Sequence, residues 1–297
     1  MTELQGHMFV GDRFAGWLSR PQHFLRLELV RICAPLAILG FMSSRIAHAD
    51  EWVGDAGFRV PELASSDYRQ PLYLPALGGS AAWIYAVVLV ASGLALAAGW
   101  RSRVAAIVFA GASAWAALAD RLASFSVSKL APVVAIALAT SACGARWSID
   151  AWRRAKRGDK LPNETTAGAV RFFQLLLPTI YCASGIAKAR ADWLREPYVL
   201  WSHLHDTYQT AITVILANAL PPMAWTIFQI ATLAFEALAP LWFAWKKTRG
   251  PALVFGVGMH GMIGLMFGPV IWFAMLMATL LVASFLPDRF LDRLARL

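Results

Sequence analysis

Long apolar runs, separated by short charged segments, leave this chain few folds to adopt. The runs cover about residues 24–42, 81–99, 104–119, 130–145, 169–188, 223–245 and 251–287. A bilayer core about 30 Å thick takes roughly 20 residues of helix to cross, and an almost uncharged run of that length reads as a membrane helix. Composition agrees. Only 15% of the 297 residues are charged and 58% are hydrophobic, whereas soluble domains carry about 25% charged residues. There is too little polar surface here to clothe a water-soluble globule.

The last run is too long for one crossing: as a single helix it would measure about 55 Å. Gly268-Pro269 stands near its middle, so it divides into spans at about 252–267 and 270–286. The expectation is therefore an all-α, polytopic helical bundle with about eight transmembrane helices. Charge sets its orientation. With both termini in the cytoplasm, the segments 1–31, 101–103, 146–171, 246–249 and 289–296 face inward and hold 19 of the 27 Lys and Arg residues. That is the bias the positive-inside rule requires. Residues 1–23 read as a cytoplasmic segment with a short interfacial helix around Phe14, Trp17 and Leu18. Residues 24–287 read as the membrane domain, and 288–297 as an amphipathic cytoplasmic tail. The stretch 211–220 is too short to cross and stops at Pro221-Pro222, which suggests a re-entrant or interfacial helix. The expected location is a cell membrane, of the bacterial inner-membrane kind.

Several function classes drop out. The net charge of +9 is dispersed between apolar runs instead of forming a basic face, so nucleic acid is not an expected partner. Cys33, Cys143 and Cys182 all lie in apolar runs without metal-ligand or disulfide spacing, and no metal site is expected. The N-terminus lacks the apolar core and cleavage site of a signal peptide. His203, His205 and Asp206 read as solvated loop residues. A metal pair there would lack a third ligand and helical spacing.

The residues able to carry chemistry are the polar ones set among apolar neighbours. Lys188 closes YCASGIAK (181–188) at the outer end of the fifth span. Two readings stand: an interfacial lysine paired with Asp192 one turn on, or an amine in an apolar pocket acting as a general base. Glu236 and His260 fall near the middles of the sixth and seventh spans. A charge there costs about 3 kcal/mol on insertion scales, so the two are expected to meet, either as a packing bond or as working groups. Arg121, with Ser126 and Lys129, stands in the outer loop DRLASFSVSK (120–129), either as a contact for an anionic substrate or as plain polar loop.

At Lys188 the sequence meets a family pattern. YCASGIAKARADW (181–193), with its Tyr, small-Gly pair, Lys and Trp, resembles the characteristic segment of the HTTM (horizontally transferred transmembrane) family, the vitamin K-dependent γ-carboxylase-like membrane proteins. Further pieces follow in the family's order: LELVRI (27–32), AAGWRSRVAAI (97–107), RWSIDAW (146–152), FEALAPLW (235–242) and the span holding His260. The resemblance covers almost the whole chain. It implies catalytic roles for Lys188, Glu236 and His260, substrate contacts for Tyr181, Trp193 and Arg121, and reduced vitamin K or menaquinol as cofactor. In the family's carboxylases the matching Lys deprotonates the reduced quinone, oxygen reacts, and a peptide Glu is carboxylated. Those carboxylases carry a functional His in the loop between spans three and four, where DRLASFSVSK has none. They also add a large luminal domain, whereas smaller members have the membrane part alone, which is the layout expected here. The resemblance thus implies a carboxylase- or oxidase-type modifier of a peptide or protein at the outer face. The other class is a non-catalytic membrane factor for peptide maturation, export or immunity.

Overall fold

A computed structural model describes residues 10–57, 74–119 and 125–296. Arg121 lies outside these residues, as does the segment 58–73. Fifteen helices are described. The first half of the chain forms α1 (Val10–Ser19), α2 (Leu25–Ala47), α3 (Ala49–Trp52), α4 (Gly79–Ala98), α5 (Ser102–Ala119), α6 (Ser126–Ala139) and α7 (Ile149–Lys156). The second half forms α8 (Ala167–Arg190), α9 (Val199–His203), α10 (Ala211–Ala219), α11 (Pro222–Ala237), α12 (Ala239–Ala244), α13 (Lys246–Met266), α14 (Ile271–Phe285) and α15 (Asp288–Leu294). The sole strand pair among them is β1 (Gln22–His23) with β2 (Glu164–Thr165), antiparallel. The protein is an all-α polytopic bundle.

Each expected span has a helix. Four segments are long and apolar enough to cross a membrane: Gly79–Ala98, Ser102–Ala119, Ala167–Arg190 and Gly268–Phe285. The pair α10–α11, bent by 112° at Pro221-Pro222, makes a fifth if counted as one broken span. Of the remaining spans, α2 holds Arg26, Glu28, Arg31 and Arg45, α13 opens on Lys246-Lys247, and α6 is only 14 residues long. Apolar side chains also point outward, as a lipid solvent allows: Ile84 is 64% exposed and Val254 74%. α2 runs through the centre, packed against α4, α6 and α14.

Two boundaries differ from the sequence reading. The expected loop before the fourth span is shorter, because Ser126 and Lys129 already belong to α6. The sixth span is not one helix over 223–245. It breaks at Leu238 into α11 and α12. Pro240 is the reason, since it has no N–H for the carbonyl four residues back and its ring clashes there. That carbonyl belongs to Glu236. The split of the last run falls where Gly268-Pro269 suggested, between α13 and α14.

Three of the motif segments meet at one end of the bundle. Glu28 and Arg31, 1% and 0% exposed, form an ion pair at 2.8 Å. Arg31 donates to the carbonyls of Leu96, Ala97 and Trp147 and, through Nε, to Glu28; Glu28 also accepts the Arg146 backbone N–H at 3.0 Å. Gly99 ends α4 at φ +70°, and a Cβ there would lie 2.2 Å from Ser148 Cβ, so the approach requires glycine. The Ser148 hydroxyl caps α7 by accepting the Ala151 N–H at 2.9 Å. Asp150 accepts the Arg101 and Ser102 N–H groups, each at 2.9 Å, and so caps the N-terminus of α5.

Partial burial alone would raise the Asp150 carboxyl, but these N–H bonds, with the Ser102 hydroxyl, outweigh it and hold its pKa below the usual value. A depressed pKa contributes stability above the ordinary carboxylate range, and that contribution is lost as pH falls through the folded value. Asp150→Ala should lower stability by about 1–2 kcal/mol. In detergent melts the gap should be full at pH 7 and shrink below about pH 4. An equal gap at pH 7 and pH 3 would exclude the capping role.

The charge bias also predicts topology. A single cysteine placed at the exposed Arg195 should be labelled from outside intact cells by a membrane-impermeant reagent. One at the exposed Arg157 should not. Labelling at Arg157 would reverse the orientation.

Candidate functional site

Tyr181, Gly185 and Lys188 stand at i, i+4 and i+7 on α8 and so share one helical face. Gly185 decides what that face meets. A Cβ on it would lie 2.4 Å from the Ala237 backbone nitrogen and 2.8 Å from the Glu236 carbonyl carbon. The small-Gly pair therefore serves close contact between α8 and α11, as glycine does between membrane helices; at Gly185 itself it leaves no room for a ligand.

One turn above that contact, Lys188 reaches Glu236. Its Nζ donates to both carboxylate oxygens, at 2.5 and 2.6 Å. The side chains are 28% and 8% exposed. Trp193, in the turn after α8, lays its ring 4.9 Å from the same ammonium. The local partner considered for Lys188, Asp192, is not the one it takes. Glu236 and His260 are not bonded to each other either. His260 Nε2 is 2.6 Å from the Tyr181 hydroxyl, and its Nδ1 is buried without a partner among the described residues. Tyr181 packs edge-on against Phe235, the residue before Glu236. Two polar pairs thus lie side by side between α8, α11 and α13.

The Lys188–Glu236 pair opens onto a cavity of about 630 Å³. Its walls are almost wholly apolar, with Phe228, Phe255, Met259, Met262 and Met266 prominent, and Trp193 flanks the pair. His203, Asp206 and Tyr208 also contribute to the lining. Tyr181 and His260 do not line it; they sit behind the pair. His205 instead lies near the Trp201 carbonyl at 3.0 Å and packs on the Trp201 ring. Among the described residues no group of three or more His, Cys, Asp or Glu is placed to hold a metal ion.

The sequence reading missed the residues that hold the segment 193–213 over the cavity. Gln229 is fully buried. Its carbonyl accepts the Leu200 N–H at 2.9 Å, and its amide donates to the carbonyls of Trp193 and Glu196. Thr226 donates to the Pro197 carbonyl at 2.7 Å. Thr210 and Thr213 bond the carbonyls of Leu265 and Met266, which the end of α13 leaves free. Gln229 carried a signal, as an amide inside an apolar run, of the same kind that singled out Glu236.

The family model described as the HTTM domain matches residues 24–286. No curated protein and no solved structure matches the chain.

Proposed function

Because the chain belongs to the HTTM domain family, matched along nearly its whole length, we propose that it is a membrane enzyme that moves a proton to or from an apolar, hydroxyl-bearing substrate in the α8–α11–α13 cavity. One observation carries the reading. An ammonium and a carboxylate are held at 2.5 Å on the wall of an apolar cavity. In such surroundings a charge pair is costly, and it serves chemistry or register. Lys188 is the proton-transferring group, and Glu236 is the acceptor that frees its amine. Trp193 fixes the ammonium in place through its ring face. Tyr181 and His260 hold the α8–α13 wall behind the pair.

A reduced quinone of the vitamin K or menaquinol class fits these residues. Its hydrocarbon body suits the Phe and Met walls, and its hydroxyl suits the Lys188–Glu236 pair. Bound there, it would supply reducing equivalents toward oxygen. The target of the modification is a peptide or protein at the outer face, reached across the segment 193–213.

The test is an assay on purified protein with reduced menaquinone, oxygen, labelled carbon dioxide and a Glu-containing peptide. Oxygen uptake that requires the protein is the expected result, and label in the peptide would identify a carboxylase. Neither signal, together with unimpaired cellular function in an abundant Lys188→Ala variant, would leave the non-catalytic maturation, export or immunity factor as the function.

A further inference from the structure

At the opposite end of the bundle the described residues gather more positive than negative charge. Arg26, at the start of α2, reaches the end of α14. Its Nη1 donates to the Ala283 carbonyl at 2.8 Å, and its Nη2 to the Leu286 carbonyl and Asp288 at 2.7 Å. Arg171, near the start of α8, donates to the Trp17 carbonyl at 3.0 Å and to Gln174 at 2.7 Å. Gln174 in turn donates to the Ser284 carbonyl at 2.6 Å. Arg249, in the first turn of α13, donates to the Phe243 carbonyl at 3.0 Å. Arg20, Arg26 and Arg249 are all within electrostatic reach of Arg171, and so is Asp288. Arg26 and Arg249 are within reach of each other.

Four guanidiniums thus share one corner, and the carboxylate facing them among the described residues is Asp288. The neighbouring Asp292 pairs with His23 at 3.3 Å. Guanidiniums stay protonated, so the cluster cannot relieve its repulsion by losing protons. Two buried polar atoms in the same corner have no partner among the described residues: Arg26 Nε and Ser284 Oγ. Both residues are more than nine-tenths buried. They are neighbours, because Arg26 holds the Ala283 carbonyl and the Arg171-bound Gln174 holds that of Ser284. Both can donate a hydrogen bond. Native structures seldom leave such groups unmet, and an unmet group calls for a ligand or an ion.

We infer that this corner binds a phosphate group, seated among Arg26, Arg171, Arg249 and Ser284. Phosphate is a tetrahedral anion whose oxygens accept several guanidinium N–H bonds at once. Three helices, α2, α8 and α13, also begin here, and helix N-termini favour anions. Two sources supply the same chemistry: the headgroup of an acidic phospholipid in the adjoining leaflet, or a phosphate free in solution.

The experiment follows thermal unfolding of the whole purified protein at constant ionic strength. Phosphatidylglycerol, phosphatidylcholine and inorganic phosphate are added separately. A rise in Tm of a few degrees is expected with a ligand that binds the folded state alone. A rise with phosphatidylglycerol but not phosphatidylcholine assigns the site to a lipid headgroup. A rise with inorganic phosphate over equal chloride assigns it to a soluble anion. Arg249→Gln should weaken the responding ligand about tenfold, as the loss of a charged hydrogen bond would. Arg20→Gln, at an exposed position, should weaken it less. No rise with any anion, or an undiminished response in Arg249→Gln, would overturn the inference.

Discussion

Arg31→Met should destabilise the protein by about 3–5 kcal/mol, as breaking one partner of a buried ion pair does. Four of the guanidinium's five N–H groups donate hydrogen bonds, one to Glu28 and one each to the carbonyls of Leu96, Ala97 and Trp147, and Nη2 also lies 2.8 Å from the Glu28 carboxylate. Removing it leaves the Glu28 carboxylate buried without a counter-charge and the Ala97 and Trp147 carbonyls without a donor, while the Leu96 carbonyl keeps the Gly99 N–H. Arg31→Lys should recover little, because one ammonium cannot span the same fork. Glu28→Gln combined with Arg31→Met should recover part of the loss by removing the stranded charge. It should not recover all of it, since the carbonyls stay unmet. The measure is unfolding in detergent, with membrane abundance as a second readout. A melt for Arg31→Met within 1 kcal/mol of wild type would exclude the knot as a main support of the fold.

Arg31 exemplifies a wider arrangement. A helix leaves its last four carbonyls without intrahelical partners, and its C-terminal end carries partial negative charge. Arg31 serves the end of α4, Arg103 donates to the Ala139 carbonyl at the end of α6, Arg249 serves the end of α12, and Arg26 the end of α14. These four helix ends are the ones that the topology proposal brings to the cytoplasmic side. The basic residues counted in the sequence as an orientation signal therefore also close the helix ends that arrive there.

That double role marks where the sequence stops being readable. The bilayer fixes helix length, so the apolar runs located every major helix. A proline and a glycine in the last run located its turn. Local rules could not find long-range partners. Arg26 meets Ala283 at a separation of 257 residues, and nothing in the letters around Arg26 points there. For Lys188, helical spacing offered Asp192, four residues on. The actual partner comes from another helix, admitted because Gly185 lets α11 press against α8. Glu236 and His260 were singled out as costly polar groups in apolar runs. That argument requires each to have a partner, but it cannot say which, and both partners lie on α8. Pro240 was visible in the sequence, yet the break it makes beside Glu236 was passed over in favour of one continuous span.

The second large effect concerns activity and not stability. In the proposed reading, Lys188→Arg should lower turnover by about a hundred- to ten-thousand-fold, the usual worth of a positioned acid or base. The guanidinium can keep the ion pair with Glu236, so abundance and melting should stay near wild type. It cannot hand its proton to Glu236 near neutral pH, so the step fails while the charge remains. Glu236→Gln should also abolish most turnover, because the amide keeps a hydrogen-bond acceptor but no longer takes up the proton. Lys188→Ala is a poorer probe, since it strands the Glu236 carboxylate in an apolar wall and mixes a folding defect with a chemical one. Lys188→Ala combined with Glu236→Gln removes that defect and should be stable and inactive. Oxygen uptake with reduced menaquinone separates these cases when it is read beside a melt of each variant. If Lys188→Arg works at the wild-type rate, the lysine is a fixed positive charge. The pair is then a tie between α8 and α11, of the same kind as the Glu28–Arg31 pair at the other end of the bundle.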